Sequence, residues 1–280
     1  MDKLLLVDGS NLLFQIFYGM PARIYDSQGK AIQGTLGFVG ALLKIIRMVR
    51  PTHVAVLFDG ECENPRAVLN EDYKANREDF SRMPEEDTPF SQLPDVYRAL
   101  DYLGIRHRET TDCEVDDWMA AYCRRYAGAF FLVIASQDSD FFQLIDKNVR
   151  ILRYRGDRSA LCDPAYIREK LDIEHSQYAD FKSLTGDTAD NIRGADRVGP
   201  KTAAWLLRLY GDLDGILANA DRISKPSIRL SVLQNAERLR VNRLLIRLTG
   251  EVPLPFPASE LKYRYDGITT TQVLTAIGLK

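Results

Sequence analysis

What most narrows the folds open to this chain is a repeated pairing of a short apolar run with an aspartate just beyond it. Residues 3–7 lead into Asp8, residues 53–58 into Asp59, and residues 130–135 into Asp138 and Asp140. Each run is rich in Leu, Val, Ile or Phe and too short for a typical helix, so it reads as a strand buried on both faces. A fourth strand is expected over 149–154. Between the first two, Phe38, Leu42, Ile45, Ile46 and Val49 recur at helical spacing within residues 35–49 and predict a helix packed on the sheet. The alternation predicts an α/β unit with a mostly parallel central sheet flanked by helices. In such a sheet, acids far apart in sequence converge beyond the carboxyl ends of the strands. One aspartate after a strand is ordinarily a turn residue; that explanation is strained by three in succession.

From 64 to 94 the texture changes to charged residues and prolines with few aliphatics, which predicts a loop, a mobile arch, or both. Beyond about residue 163 the pattern becomes helical, over 166–171, 177–184, 201–210, 212–218 and 227–248. The expected organisation is a first domain over 1–165 with an arch at 64–94, a helical domain over 166–260, and a tail over 261–280. No apolar run approaches the roughly 20 residues that span a bilayer, and the start lacks a signal peptide's layout. A cytoplasmic protein without a membrane partner is expected. Cys62, Cys113, Cys123 and Cys162 form no C-x-x-C pair, and His53, His107 and His175 stand apart, so neither zinc nor a disulfide framework is indicated.

Two further acidic clusters extend the pattern. Glu114-Val115-Asp116-Asp117 opens a predicted helix, where acids also complement the macrodipole. Asp187 and Asp190 are three apart, and a helical turn would point both the same way. Together these make nine carboxylates with no histidine or cysteine among them, a hard-ligand set suited to Mg²⁺ or Mn²⁺. Without counter-charge such acids repel one another and take up protons. Two cations about 3.5 to 4 Å apart would relieve that conflict and activate water against a phosphodiester. The formal net charge of −2 argues at first against a nucleic-acid partner. With nine of the 39 acids set aside for the cations, however, 37 basic residues face only 30 acidic ones.

The stretches Val7-Asp8-Gly9-Ser10-Asn11, Phe58-Asp59-Gly60, Tyr73-Lys74-Ala75-Asn76-Arg77, Glu114-Val115-Asp116-Asp117, Asp138-Ser139-Asp140 and Leu184 to Asn191 span nearly the whole chain. In order and spacing they resemble the 5′-nuclease family, which includes the N-terminal domain of bacterial DNA polymerase I and the stand-alone flap endonucleases of phages and bacteria. The resemblance implies a PIN-like, resolvase-like first domain with a helical arch, and a second, all-helical domain carrying a helix-hairpin-helix. It also implies that Asp8, Asp59, Glu114, Asp116 and Asp138 gather round one metal and Asp140, Asp187 and Asp190 round a second, with Asp117 shared or outside. Lys74 and Arg77 match the catalytic basic residues of the arch; on chemistry alone they are also ordinary solvated cations. Arg66 is a candidate phosphate contact, and Tyr73 a residue that stacks on a base or pins the arch to the body. Downstream, Arg193-Gly194 and Val198-Gly199-Pro200-Lys201 resemble the hairpin that grips a duplex phosphate, with a monovalent K⁺ site implied beside it. The family has glycine where Arg197 stands; the arginine offers a phosphate contact but removes the residue best suited to a tight turn. As an alternative, Gly199-Pro200 only ends a loop and starts a helix. Arg238, Arg240, Arg243 and Arg247 form either a phosphate-facing stripe or a solvated helix face, and stay outside the expected site.

The activity implied is structure-selective hydrolysis of branched or 5′-ended DNA, as a flap endonuclease and 5′→3′ exonuclease in replication or repair. Water attacks phosphorus, the 3′-hydroxyl leaves, and the phosphate stays as the 5′-phosphate of the other product. A monomer is expected and, since no polymerase segment follows Lys280, a free-standing nuclease, unless the chain is a piece of something longer. Two other readings stay open: a PIN-like ribonuclease, disfavoured by the second domain, and a junction-binding protein with weak or no cleavage, favoured by Arg197.

Overall fold

The structure is a computed structural model that describes residues 1–60, 65–70, 72–76 and 83–279. Its centre is a six-stranded sheet. The first strand, β1 (Lys3–Asp8), is flanked by β2 (His53–Phe58) and, on its other side, by β4 (Phe131–Ala135). Beyond these lie β3 (Arg106–Glu109) on one edge, then β5 (Val149–Arg153) and β6 (Ala160–Cys162) on the other. All neighbours pair in parallel except β5 and β6. The apolar runs predicted as buried strands form the three central strands, since helices cover both faces there. β3 carries no apolar signal because it is an edge strand reading Arg-His-Arg-Glu, and β6 is only three residues long.

Side-chain alternation sorts the strands' apolar residues between two cores. Leu5, Val7, Val54, Val56, Phe58 and Val133 pack against α1 (Gly9–Gly19), α2 (Gln33–Val49) and α3 (Leu93–Tyr102). Leu4, Leu6, Ala55, Leu57, Leu132 and Ile134 face the other way, towards α4 (Val115–Tyr126). This second core runs without a break into the later helices: α5 (Pro164–Leu171), α6 (Tyr178–Thr185), α7 (Pro200–Tyr210), α8 (Leu213–Ala218) and α9 (Pro226–Gln234) all contribute to it. The helical half is thus welded to one face of the sheet.

Two expectations need correction, and two segments gain detail. The helix expected over 227–248 is two, α9 and α10 (Ala236–Ile246), broken at Asn235, whose buried side-chain amide donates to the Ser231 carbonyl at 2.7 Å. The segment carrying Asp187 and Asp190 is not a helical turn but a tight hairpin of β7 (Gly186–Asp187) and β8 (Ile192–Arg193). In the 64–94 stretch the described residues form single 3-10 turns and no α-helix before α3. Its last part belongs to the body: Gln92 is fully buried, and its side-chain oxygen accepts from the Thr35 amide at 2.8 Å in the first turn of α2. Of the tail expected over 261–280, residues 261–279 are described and pack on the body. Leu261 and Tyr263 hydrogen-bond with Val54 and Thr52 beside β2, and α11 (Thr270–Ala276) brings Val273, Leu274 and Ile277 against α2 and α3. Among the described residues, no helix is long and apolar enough to cross a membrane.

Candidate metal centre

Each acid is delivered by the end of an element. Asp8 closes β1 and caps α1, accepting from the Asn11 amide at 2.9 Å, while its other oxygen accepts from Ser136 Oγ at 2.9 Å. Ser136 Oγ also accepts from the Asp138 amide at 3.0 Å, so one hydroxyl ties the ends of β1 and β4 together. Asp138 in turn accepts from the Asp140 amide at 2.8 Å. Asp59, just past β2, has its amide held by Ser10 Oγ at 2.8 Å and accepts from the Val115 amide at 3.0 Å, at the start of α4. Glu114 is the N-cap of α4 and forms a capping box with Asp117. Four separate chain segments therefore meet at the carboxyl ends of parallel strands, as the crossover geometry dictates.

Their electrostatics are those of a site short of positive charge. Burial, with repulsion from Asp59, pushes the Asp8 carboxyl up to about 7. Asp116 is raised well above its ordinary value by enclosure in protein, then by Asp138, Glu114 and Asp8. Asp140 is pushed up to about 7 by burial and by Asp138, with Lys182 opposing. One oxygen of each of Asp140, Asp187 and Asp190 lies within 4.8 Å of the others, a spacing that suits a single ion. The buried Asp140 Oδ1 has no hydrogen-bond donor, a defect that a bound cation would cure. An all-carboxylate set with a buried oxygen that accepts no hydrogen bond and with raised carboxyl pKa values fits a hard divalent cation.

Three basic side chains lie on these acids. Arg66 pairs with Glu114 and makes a two-pronged contact with Asp117 at 2.6 and 3.2 Å. Burial opposes its charge, but Asp117 and Glu114 outweigh that and hold the guanidinium firmly protonated. Lys74 pairs with Glu114 and lies 5.0 Å over the Tyr73 ring. Lys182 on α6, unnoticed in the sequence, pairs with Asp187 and lies 3.7 Å from Asp140 Oδ1. Only its place five residues before Asp187 could have drawn attention to it. Ser10, Asn11 and Ser136 were likewise missed as supporting residues, although the first two stand inside a quoted motif. Tyr73 is buried against Ile192, Leu245 and Ile246, the pinning arrangement rather than a free stacking surface. Arg77 lies outside the described residues.

The hairpin residues run from β8 to the start of α7. Arg193 is exposed and pairs with Asp196 at 2.8 Å. Gly194 is required for packing, since a Cβ there would stand 2.4 Å from the Leu184 carbonyl oxygen and 2.5 Å from the Gly186 nitrogen. Arg197 adopts φ +66°, the left-handed conformation a glycine would supply, so the tight turn forms without one. Gly199 caps α7, with Pro200 in the first turn and Lys201 exposed beside it. Arg238 donates to the Gly194 carbonyl at 2.9 Å and Arg243 to both oxygens of Asp214 at 2.9 Å, so these two arginines hold the helical half together.

Comparison with known proteins finds two family models along the chain. Residues 3–172 match the family described as 5′-3′ exonuclease, N-terminal resolvase-like domain, and residues 173–267 match 5′-3′ exonuclease, C-terminal SAM fold. The chain is 37% identical over 262 residues to DNA polymerase I of Rhizobium leguminosarum, covering 90% of this chain and 25% of that protein. It is 32% identical over 257 residues to the thermostable DNA polymerase I of Thermus thermophilus, covering 90% and 29%. The chain thus spans little more than a quarter of the length of these relatives. Among solved structures, a bacteriophage T5 flap endonuclease in complex with DNA and metal ions aligns with a TM-score of 0.72 at 20% identity, over 99% of this chain and 93% of that one. The catalytic core of Rad2 with DNA substrate aligns at 0.62 and 14% identity, over 99% and 86%.

Proposed function

This chain belongs to the 5′-3′ exonuclease family, and from that premise we propose that it hydrolyses DNA phosphodiesters at 5′ flaps and 5′ ends, using two divalent cations, Mg²⁺ or Mn²⁺. The observation that carries the proposal is the convergence of acids from β1, β2, α4, β4 and the β7–β8 hairpin into one crevice, where burial and mutual repulsion raise the pKa of Asp8, Asp116 and Asp140. Asp8, Asp59, Glu114, Asp116 and Asp138 would hold one ion, and Asp140, Asp187 and Asp190 the other. Asp117 fits an outer role, since its oxygens are taken by the Glu114 amide and Arg66. The ions would supply polarisation of the phosphate and activation of water.

The chain's own part is placement. Ser136 and Ser10 hold Asp8, Asp138 and Asp59 in register. Arg66 and Lys74, now paired with Glu114, are cations placed to receive a phosphate once that carboxylate is engaged elsewhere. Arg193, Arg197 and Lys201, with the start of α7, offer a grip on duplex phosphates that reads no base. All nine acids come from one copy of the chain, so a monomer suffices. The relatives crystallised with DNA support this choice of substrate. The junction-binder reading rested on Arg197, whose left-handed backbone lets the hairpin turn form without a glycine.

The test is incubation with a labelled 5′-flap duplex in Mg²⁺, in Mn²⁺ and in chelator. Cleavage near the branch that chelator abolishes is expected. Retention of the flap with no cut in either metal, or cutting of RNA alone, would overturn the proposal.

A further inference from the structure

The turn formed by residues 72–76 is clasped to the turn between β7 and β8. The Lys74 amide donates to the Asp190 carbonyl at 3.0 Å. Asn76 Nδ2 donates to the Thr188 carbonyl at 3.0 Å, and Asn191 Nδ2 donates back to the Asp72 carbonyl at 2.8 Å. These bonds join segments more than a hundred residues apart, and each ends on a backbone carbonyl, so they fix the two backbones rather than merely neighbouring side chains. Lys74 and Asn191, the residues at the centre of the clasp, both have left-handed backbones, with φ of +59° and +57°. Asparagine enters that region readily, but a lysine held there needs surroundings that enforce it. Tyr73 completes the joint by burying its ring against Ile192, Leu245 and Ile246.

The position of this clasp gives it a consequence. The clasped turn of the hairpin, residues 188–191, directly follows Asp187 and contains Asp190, two of the three acids whose oxygens lie within 4.8 Å. On the other side, residues 72–76 carry Lys74, which reaches Glu114. We propose that Asn76 and Asn191 are positioning residues that make the Lys74 turn and the second cation site one mechanical unit. The hairpin then presents Asp190 correctly only while the clasp is closed, and Lys74 takes its place over the crevice from the hairpin. Neither asparagine touches a proposed ligand atom, so their effect on cation binding runs through the backbone.

This inference rests on the two-cation reading above, and the experiment separates the two. Mn²⁺ is titrated without DNA into wild type, Asn76→Ala, and Asn76→Ala combined with Asn191→Gly, with free Mn²⁺ followed by electron paramagnetic resonance. Glycine at 191 keeps the left-handed backbone while removing the donor. Wild type is expected to bind in two classes. The double variant should lose affinity in the weaker class by about 10-fold or more while keeping the tighter one, the scale seen when outer-shell support of a metal ligand is removed. The single variant, which gives up one bond at an exposed side chain, should lie between. Single-turnover flap cleavage by the double variant should recover as Mn²⁺ is raised, which a misfolded protein would not do. Superimposable isotherms for all three proteins, or no recovery at high Mn²⁺, would overturn the clasp alone; wild type binding no Mn²⁺ would overturn the cation reading beneath it.

Discussion

Asp138 receives little direct help from the fold beyond one hydroxyl and one amide, yet it faces Asp8, Asp116 and Asp140 at once. Removing it relieves repulsion while taking away a proposed ligand, so its loss should leave the fold intact and the chemistry crippled. Asp138→Ala is expected to lower single-turnover flap cleavage by about 10³-fold, the scale of losing a central electrostatic contact, with flap affinity in Ca²⁺ nearly unchanged. Wild-type turnover by that variant would remove Asp138 from the site. Lys74 differs in kind, because it is a counter-charge held on Glu114 and not a ligand. Lys74→Ala should slow the single turnover by about 10²-fold and weaken binding far less; equal losses in both would make it a docking contact. The residue types were legible in sequence because acids after strands have few other reasons to recur. Lys182 was not, since a lone lysine on an amphipathic helix looks like any solvated one until its partners are seen.

The β7–β8 hairpin is the element on which most depends, being at once part of the second acidic cluster, the base of the clasp and the approach to α7. It is narrow because Gly186 and Gly194 let two backbones meet closer than any Cβ allows. Gly194→Ala should cost about 1–3 kcal/mol as an overpacking substitution. That corresponds to roughly 2–4 °C of melting temperature per kcal/mol in a chain of this size. Scanning calorimetry checks it, and an unshifted transition would show that the hairpin yields without penalty. The helical spacing of Asp187 and Asp190 misled at this scale. Three residues apart suits a helix, but two β-bridged pairs with a four-residue turn also bring such acids together. Short-range spacing cannot distinguish the two.

At the scale of the molecule, crowding of acids into one crevice sets how stability depends on pH. The folded chain without cations holds protons on Asp8 and Asp140 up to about pH 7, whereas in an unfolded chain aspartates ionise near pH ~3.9. Between those values the folded state binds more protons, so stability falls as pH rises, the reverse of the usual salt-bridged carboxylate. In chelator the melting temperature should therefore drop from pH 5 to pH 8 by roughly 5 °C or more, and saturating Mg²⁺ should remove most of that drop. A melting temperature that rises over this range in chelator would contradict the raised carboxyls. The continuous core from the sheet through α9 makes this a property of the whole chain, since Asp140 beside the sheet and Asp187 and Asp190 of the helical half meet at the site.

By itself the sequence determined the class of fold and picked out the acids proposed as ligands. Apolar runs buried on both faces must be central strands of a layered parallel sheet, and acids at their ends must gather at one rim. Tertiary structure alone decided how those acids are held. The edge strand Arg106–Glu109, the packing of residues 261–279 and the clasp at Asn76 and Asn191 all rest on contacts between segments far apart in the chain. Such contacts leave no periodic trace, because hydrogen bonds to backbone carbonyls place almost no demand on the sequence that supplies them.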